Sequence, residues 1–211
     1  MYSPTQFIES DRHRARELML AYPFASLISC DDDGLPYVTA LPLHVQEVEE
    51  NFLLLGHCAR SNHHWRYLQA RPQATVVFTG PQAFMSTRVY PDLARVPTWN
   101  YLLVQCRVQA RLIEQFEDKD ALLKFLIGDH DPAYAAQWRS LGQEFQQKMM
   151  AGIVGFELAV TDLQCKFKLN QHRPESHAAM YDSYCQGNDH ERALAAWMQR
   201  LGLVPDDTRV A

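Results

Sequence analysis

Three short stretches of this chain concentrate the groups that could do chemistry. In the first, Leu55, Gly56, His57, Cys58, Ala59, Arg60, Ser61 and Asn62 lie where a β-rich run gives way to a helix-forming one. A strand-to-helix corner exposes unpaired backbone N–H groups at the positive end of a helix dipole. Here an arginine, a serine and an asparagine add donors, so the corner suits an anion, most naturally a phosphate. The same residues also read as plain structure, with Ser61 or Asn62 capping the helix and Arg60 solvated. The second stretch, Pro97, Thr98, Trp99, Asn100 and Tyr101, joins two aromatic rings to hydroxyl and amide groups at the mouth of a strand. Flat ring systems are held by apolar planes with a few polar groups at the edge, although an aromatic corner closing a barrel end has the same composition. The third, residues 166–174 (KFKLNQHRP), is rich in Lys, Arg and amide side chains. It could neutralise a phosphate or another anionic group, or simply form a solvated face.

Other chemistries lack their minimum residues. His63 and His64 are adjacent, and neighbours on a helix point about 100° apart, so they cannot share a metal ion as an i, i+4 pair would. No metal site is expected. No GxSxG elbow, P-loop or GxGxxG follows any strand-like run. The five cysteines at 30, 58, 106, 165 and 185 are widely spaced with no CxxC pair, as in a reduced cytosolic protein. A formal net charge of −5 argues against the broad basic footprint of most nucleic-acid binders. The N-terminus alternates charged and apolar residues, unlike a signal peptide, and no run reaches the roughly 20 apolar residues of a membrane span. A cytoplasmic protein without membrane contact is the expectation.

The elements that must position these groups are mostly strands. Residues 5–21 carry helical spacing with Phe7, Leu18 and Leu20 towards apolar faces, an entry at Ser10 and a stop at Tyr22 and Pro23. FASLISC, DDDG and LPYVTALPLHV form a hairpin; FLLLGHCA is a third strand, and SNHHWRYLQARP a short helix halted by Pro72. ATVVFTG is a fourth strand stopped by Gly80 and Pro81, AFMSTRVY a fifth, and WNYLLVQCRVQARLIE a long sixth. Residues 117–150 predict two helices broken between Gly128 and Pro132. GIVGFELAVTDLQCKFKLN returns to alternation as a seventh strand, and DHERALAAWMQRLG is a final helix with frayed residues after it. The 211 residues, 47% of them hydrophobic, suffice for one core: a domain over 1–175 with inserted helices at about 117–150, and a helical tail over 176–211 packed on it. The fold class expected is mainly β with flanking helices (α+β).

Taken in order, MYSPTQF, YPFASLIS, TALPLHV, LLGHCARSNHHW, VVFTGPQAFMS, VPTWNY and IVGFELAVTDLQCKFKLNQHRPE carry a resemblance to the PaiB family of FMN-binding split β-barrel proteins, described as negative transcriptional regulators. The resemblance implies a split barrel that dimerises through its sheet faces, with FMN sites at the subunit interface. It implies that Thr39, Ala40 and Leu41 run beside the flavin ring. It further implies that residues 56–62, including His57, Ala59, Arg60, Ser61 and Asn62, hold the ribityl phosphate, that Thr98, Trp99 and Asn100 close the site, and that Lys168, Gln171 and Arg173 approach from the other side. DNA as a partner rests on this likeness alone, since no helix-turn-helix is found. Two rival functions remain: a flavin-dependent oxidoreductase acting on a small molecule, and a haem-binding protein with His57, His63, His64 or His172 as axial ligand.

Overall fold

A computed structural model describes residues 1–92 and 94–205. Eight strands and seven α-helices follow one another, and the strands join in the order β3-β2-β6-β7-β8-β5-β4, with β1 added beside β8. They are β1 (Ile8–Glu9), β2 (Phe24–Cys30), β3 (Pro36–Pro42), β4 (His44–Val48), β5 (Asn51–Ala59), β6 (Gln73–Met85), β7 (Thr98–Ile113) and β8 (Ile153–Lys168). The helices are α1 (Arg12–Ala21), α2 (His64–Ala70), α3 (Phe116–His130), α4 (Tyr134–Ser140), α5 (Gln143–Ala151), α6 (His177–Cys185) and α7 (Asp189–Arg200). Two compact units result. One comprises Met1–Leu18, Thr79–Val104 and Gln164–Ala211; the other comprises Met19–Phe78 and Gln105–Leu163. Strands β6, β7 and β8 are long enough to contribute a segment to each. Among the described residues, no helix is long and apolar enough to cross a membrane.

In the second unit, β2 and β3 pair antiparallel from Phe24 opposite Pro42 to Cys30 opposite Pro36. Their turn is built by Asp31, whose carboxylate accepts from the N–H groups of Asp33 and Leu35, while Gly34 takes φ +79°, which favours glycine. The expected second strand is in fact two, because the chain leaves β3 at Pro42 and re-enters as β4, with the Leu43 N–H bound to the Pro23 carbonyl. β5 lies between β4 and β8, with His57 opposite Gly155. The strand passes close beneath its neighbours at Gly56, where a Cβ would stand 2.6 Å from Leu43 Cδ2 and 2.9 Å from Phe156 Cε2. Helix α3 covers the same region: Leu122 and Leu126 pack with Leu55 and Ile113 in one buried cluster.

The inserted segment forms three helices rather than two. Gly128 is carried inside α3, which ends at His130 ahead of Pro132, and a further break at Leu141 and Gly142 separates α4 from α5. An internal glycine costs only about 1 kcal/mol, which burial of Leu122 and Leu126 readily offsets.

In the first unit, α1 begins at Arg12, after Asp11 accepts from the His13 N–H, and it buries Ala15 and Leu18 there. Phe7 and Leu18 are buried as expected, Phe7 from a separate 3₁₀ turn rather than from the helix, whereas Leu20 is exposed. The anticipated fourth and fifth strands are one continuous strand, β6. Gly80 is not a stop: a Cβ there would lie 2.7 Å from Leu18 Cδ1, so it is a close-packing position. α7 starts with a capping box between Asn188 and Glu191 and buries Leu194, Ala195, Trp197 and Met198. α6, which sequence reading missed, buries Met180, Tyr181 and Tyr184. The expected frayed end falls outside the described residues from 206 onward.

Candidate functional site

The strand-to-helix corner belongs to the second unit. β5 ends at Ala59, the Arg60 N–H donates to the Gly152 carbonyl at 2.8 Å, and the Asn62 N–H returns to the Ala59 carbonyl at 2.9 Å. Helix α2 then begins, only seven residues long, so its dipole is small. The side chains expected to greet an anion are largely committed to the protein itself. Arg60 Nε donates to the Ala151 carbonyl at the C-terminal end of α5, and its guanidinium lies 5.7 Å from the Trp65 ring centre. Lys119, buried in the same place, donates to the carbonyls of Met150 and Ile153, and burial first, then the charge of Arg60, holds its pKa below the usual lysine value. Two cations thus serve the negative end of α5.

Asn62 and Thr39 meet in a polar network around His64. The Asn62 side chain donates to Thr39 Oγ1 at 3.1 Å and accepts from Tyr37 Oη and from the His64 N–H. The ring of His64 is fully buried, with Nδ1 2.8 Å from Thr39 Oγ1 and Nε2 2.9 Å from Ser29 Oγ. Burial pushes its pKa down to about 4, so it is a neutral imidazole wedged between two hydroxyls. Such a histidine has no nitrogen left for a haem iron. The sequence excludes the pair His63 and His64 as a shared metal site and offers either one as a haem ligand; the clue to this network was Thr39 in the middle of a strand and an asparagine just before a helix. Leu41 is buried over Gly56, whereas Ala40 and Ser61 are exposed. His57 is half-buried, its Nδ1 is shielded from solvent without a hydrogen-bond partner, and burial lowers its pKa. Within this unit, therefore, the structure gathers Thr39, Ala40, Leu41, His57, Ala59, Arg60, Ser61 and Asn62 around β3, β5 and the turn into α2.

The remaining expected residues lie in the first unit. Asn100 is fully buried and donates to Tyr184 Oη at 2.9 Å and to Met180 Sδ, which fastens α6 to β7. Burial raises the Tyr184 pKa to about 12. Gln171 closes the end of β8, accepting from the Leu169 N–H and donating to the Phe167 carbonyl. Trp99 remains 54% exposed and meets the edge of Phe84, itself 51% exposed. Lys168 Nζ donates to Thr98 Oγ1 and lies 5.9 Å from the Tyr101 ring centre; Lys166 Nζ lies 5.2 Å from the same ring and donates to the Tyr2 carbonyl. Ile8 pairs with Lys166, and both lysines lie on one face of β8. Beside them a groove of about 570 Å³ is lined by Lys168, Arg173, Thr98, Arg95, Tyr90 and His172, among others. Tyr90, which the sequence sets at the end of the fifth strand AFMSTRVY, and Arg95, in the connection PDLARVP, were not among the expected site residues; an arginine held between prolines was the only signal.

Both sets of residues suit a phosphorylated ring compound, through exposed apolar and aromatic surface, cationic groups and an orphaned imidazole nitrogen. Comparison with known proteins decides the family. Residues 1–162 match the family described as "Putative FMN-binding domain". The chain is an FMN-binding protein of the PaiB family. The PaiB-family assignment is joined by a likeness to the protease synthase and sporulation protein PAI 2 of Bacillus subtilis (strain 168), 29% identical over 180 residues, covering 83% of this chain and 84% of that protein. Among solved structures, the flavocytochrome Anf3 of Azotobacter vinelandii superposes with a TM-score of 0.61 at 16% identity, covering 78% of this chain and 70% of the other. The FAD and heme binding protein of Mycobacterium smegmatis gives 0.60 at 18% identity, covering 76% and 73%. The fold class is thus as the sequence suggested, α+β of the split-barrel type, and the cofactor of this PaiB-family chain is FMN.

Proposed function

We propose that this PaiB-family protein acts as a homodimeric, FMN-dependent regulator. The observation that carries the dimer is an outward row of apolar side chains on β2 and β3. Phe24 is 64% and Val38 56% exposed, and they share a face with Ile28, Ala40 and Pro42. A sheet face this apolar is stabilised by a partner, and Ala40, from the strand that the resemblance sets beside the flavin, belongs to the same face. Within the second unit the groups proposed to hold FMN are those with free surface or free donors, Ala40, His57 and Ser61; the first unit by itself offers Trp99, Lys168 and Arg173 as groups of the same kind. Thr39, Arg60, Asn62, Asn100 and Gln171, already bonded within the protein, shape the surfaces on which these groups sit. Bound FMN supplies hydride and electron transfer at its ring. The protein's own part is to present apolar planes, to fix donors around the phosphate, and to exclude water.

The regulatory reading takes its support from the family resemblance, and DNA is its proposed partner. Native mass spectrometry of the FMN-loaded protein should give a dimer with two FMN, and Val38→Glu should give monomers with weakened FMN retention. A monomeric wild type, or a flavin-free one in excess FMN, would overturn the proposal. Fluorescence anisotropy on a promoter fragment tests the regulator: binding that weakens with salt supports it, and no binding at low salt removes it.

A second reading, a flavin-dependent oxidoreductase, is favoured by the small-molecule dimensions of the groove beside Lys168. Sustained oxidation of NADH or NADPH by the FMN-loaded protein would select it.

A further inference from the structure

The groove beside Lys168 is electrostatically one-sided. Among the described residues its lining contains Lys168, Arg95 and Arg173, with His172, Asn170 and Tyr90, and no aspartate or glutamate, although the whole chain carries a net charge of −5. Among the described residues, neither Lys168 nor Lys166 behind it has a carboxylate within ion-pair distance, and Lys166 is only 6% exposed. Arg95 is pinned rather than neutralised in place. One terminal nitrogen bridges Asp92 at 2.9 Å and Glu175 at 3.5 Å from outside the lining, the guanidinium lies 5.2 Å from the Tyr90 ring centre, and its Nε is buried without an acceptor. Burial first, and Lys166 beside it, keeps the Lys168 pKa below the usual lysine value, a cost that a bound anion would relieve. His172 stands edge-on to Phe7, and Asn170, held at φ +59°, is fastened by its side chain to Tyr90 Oη and Ser176 Oγ. The walls are therefore fixed before any ligand arrives.

We propose that this groove is a seat for a phosphomonoester, with Lys168, Arg173 and the partly exposed Arg95 side chain as its cations. A dianion matches Lys168 and Arg173, which have no ion-pair partner among the described residues, together with Arg95, whose two carboxylate partners lie outside the lining, and the rigid fork of an arginine fits phosphate oxygens better than a lone ammonium does. The phosphate is either the tail of FMN itself or that of a separate small substrate read beside the flavin. In both cases the proposal rests on the FMN-binding reading, but it assigns a residue, Arg95, that neither the sequence motifs nor the family likeness singled out.

Calorimetric titrations of wild type, Arg95→Gln and Arg173→Gln with FMN, riboflavin and inorganic phosphate test it, with thermal melts confirming that each variant is folded. If the FMN tail occupies the groove, both variants bind FMN at least tenfold more weakly, riboflavin is unaffected, and inorganic phosphate competes with FMN. If a separate substrate does, FMN affinity is unchanged, and inorganic phosphate binds the FMN-loaded wild type at least tenfold more tightly than the loaded variants. The proposal is overturned if folded variants match wild type for FMN and for inorganic phosphate alike. Failure of the flavin reading is distinct: wild type would then bind neither FMN nor riboflavin, whatever phosphate does.

Discussion

Replacing His64 by glutamine should change how the protein's stability depends on pH. The ring is fully buried, both nitrogens face hydroxyls, and its pKa in the folded protein is pushed down to about 4, against 6.5 when unfolded. The unfolded chain therefore binds a proton that the folded one refuses, so the contribution of His64 is intact above pH 6.5 and is lost as pH falls towards 4. With 1.36 kcal/mol per unit of pKa difference, the loss grows to about 2 kcal/mol by pH 5 and about 3 kcal/mol by pH 4. Carboxylates titrate over the same range, but they do so in wild type and variant alike. The informative quantity is therefore the stability gap between His64→Gln and wild type, measured by urea denaturation followed through tryptophan fluorescence in saturating FMN. At pH 7 the variant should be less stable by about 1–3 kcal/mol, since glutamine cannot satisfy both Ser29 and Thr39. That gap should close or reverse by pH 4. A gap independent of pH would refute the claim that a neutral, sequestered imidazole holds Ser29, Thr39 and Asn62 together.

Three further outcomes follow from packing and caps. Gly56→Ala should cost about 1–3 kcal/mol, read from the urea midpoint, because its methyl group would lie 2.6 Å from Leu43 Cδ2 and force β3 and β4 to shift. Lys119→Met should lower stability by about 1–3 kcal/mol despite removing a buried charge, since the carbonyls of Met150 and Ile153 lose their donor; hydrogen exchange should show α5 opening first. Asn188→Ala removes the cap of α7 and should cost about 1 kcal/mol, with Asn188→Gly costing less, by the same denaturation assay.

How much of this was legible beforehand depended on whether a residue's role was local. β2, β5 and β7 follow their alternating patterns to within a residue, because one face of each is buried along its length. The turn at DDDG was likewise legible from neighbours a few positions away. Failures occurred where distant residues overrode a local signal. Gly80 and Pro81 read as a strand end, yet the glycine is needed because Leu18 lies against it, from a helix 60 residues earlier. α6 has little amphipathic contrast of its own and is held by Asn100, Met180 and Tyr184, a link that only the folded chain reveals.

The candidate site divides along the same line. The sequence singled out its segments by their density of donors, since polar groups gathered beside core strands are costly unless they are used or mutually satisfied. It could not tell the satisfied from the free. Asn62 and Arg60 look alike as phosphate donors in a motif, but in the structure one completes a histidine network and the other closes a helix end. Arg95, in a proline-flanked connection with no motif, keeps a buried Nε without an acceptor beside two other cations. Local composition therefore nominated segments rich in donors, whereas the identity of the groups still unpaired was a property of long-range pairing. For that reason the phosphate is sought at Arg95, Lys168 and Arg173 rather than at the corner where the motif alone would place it.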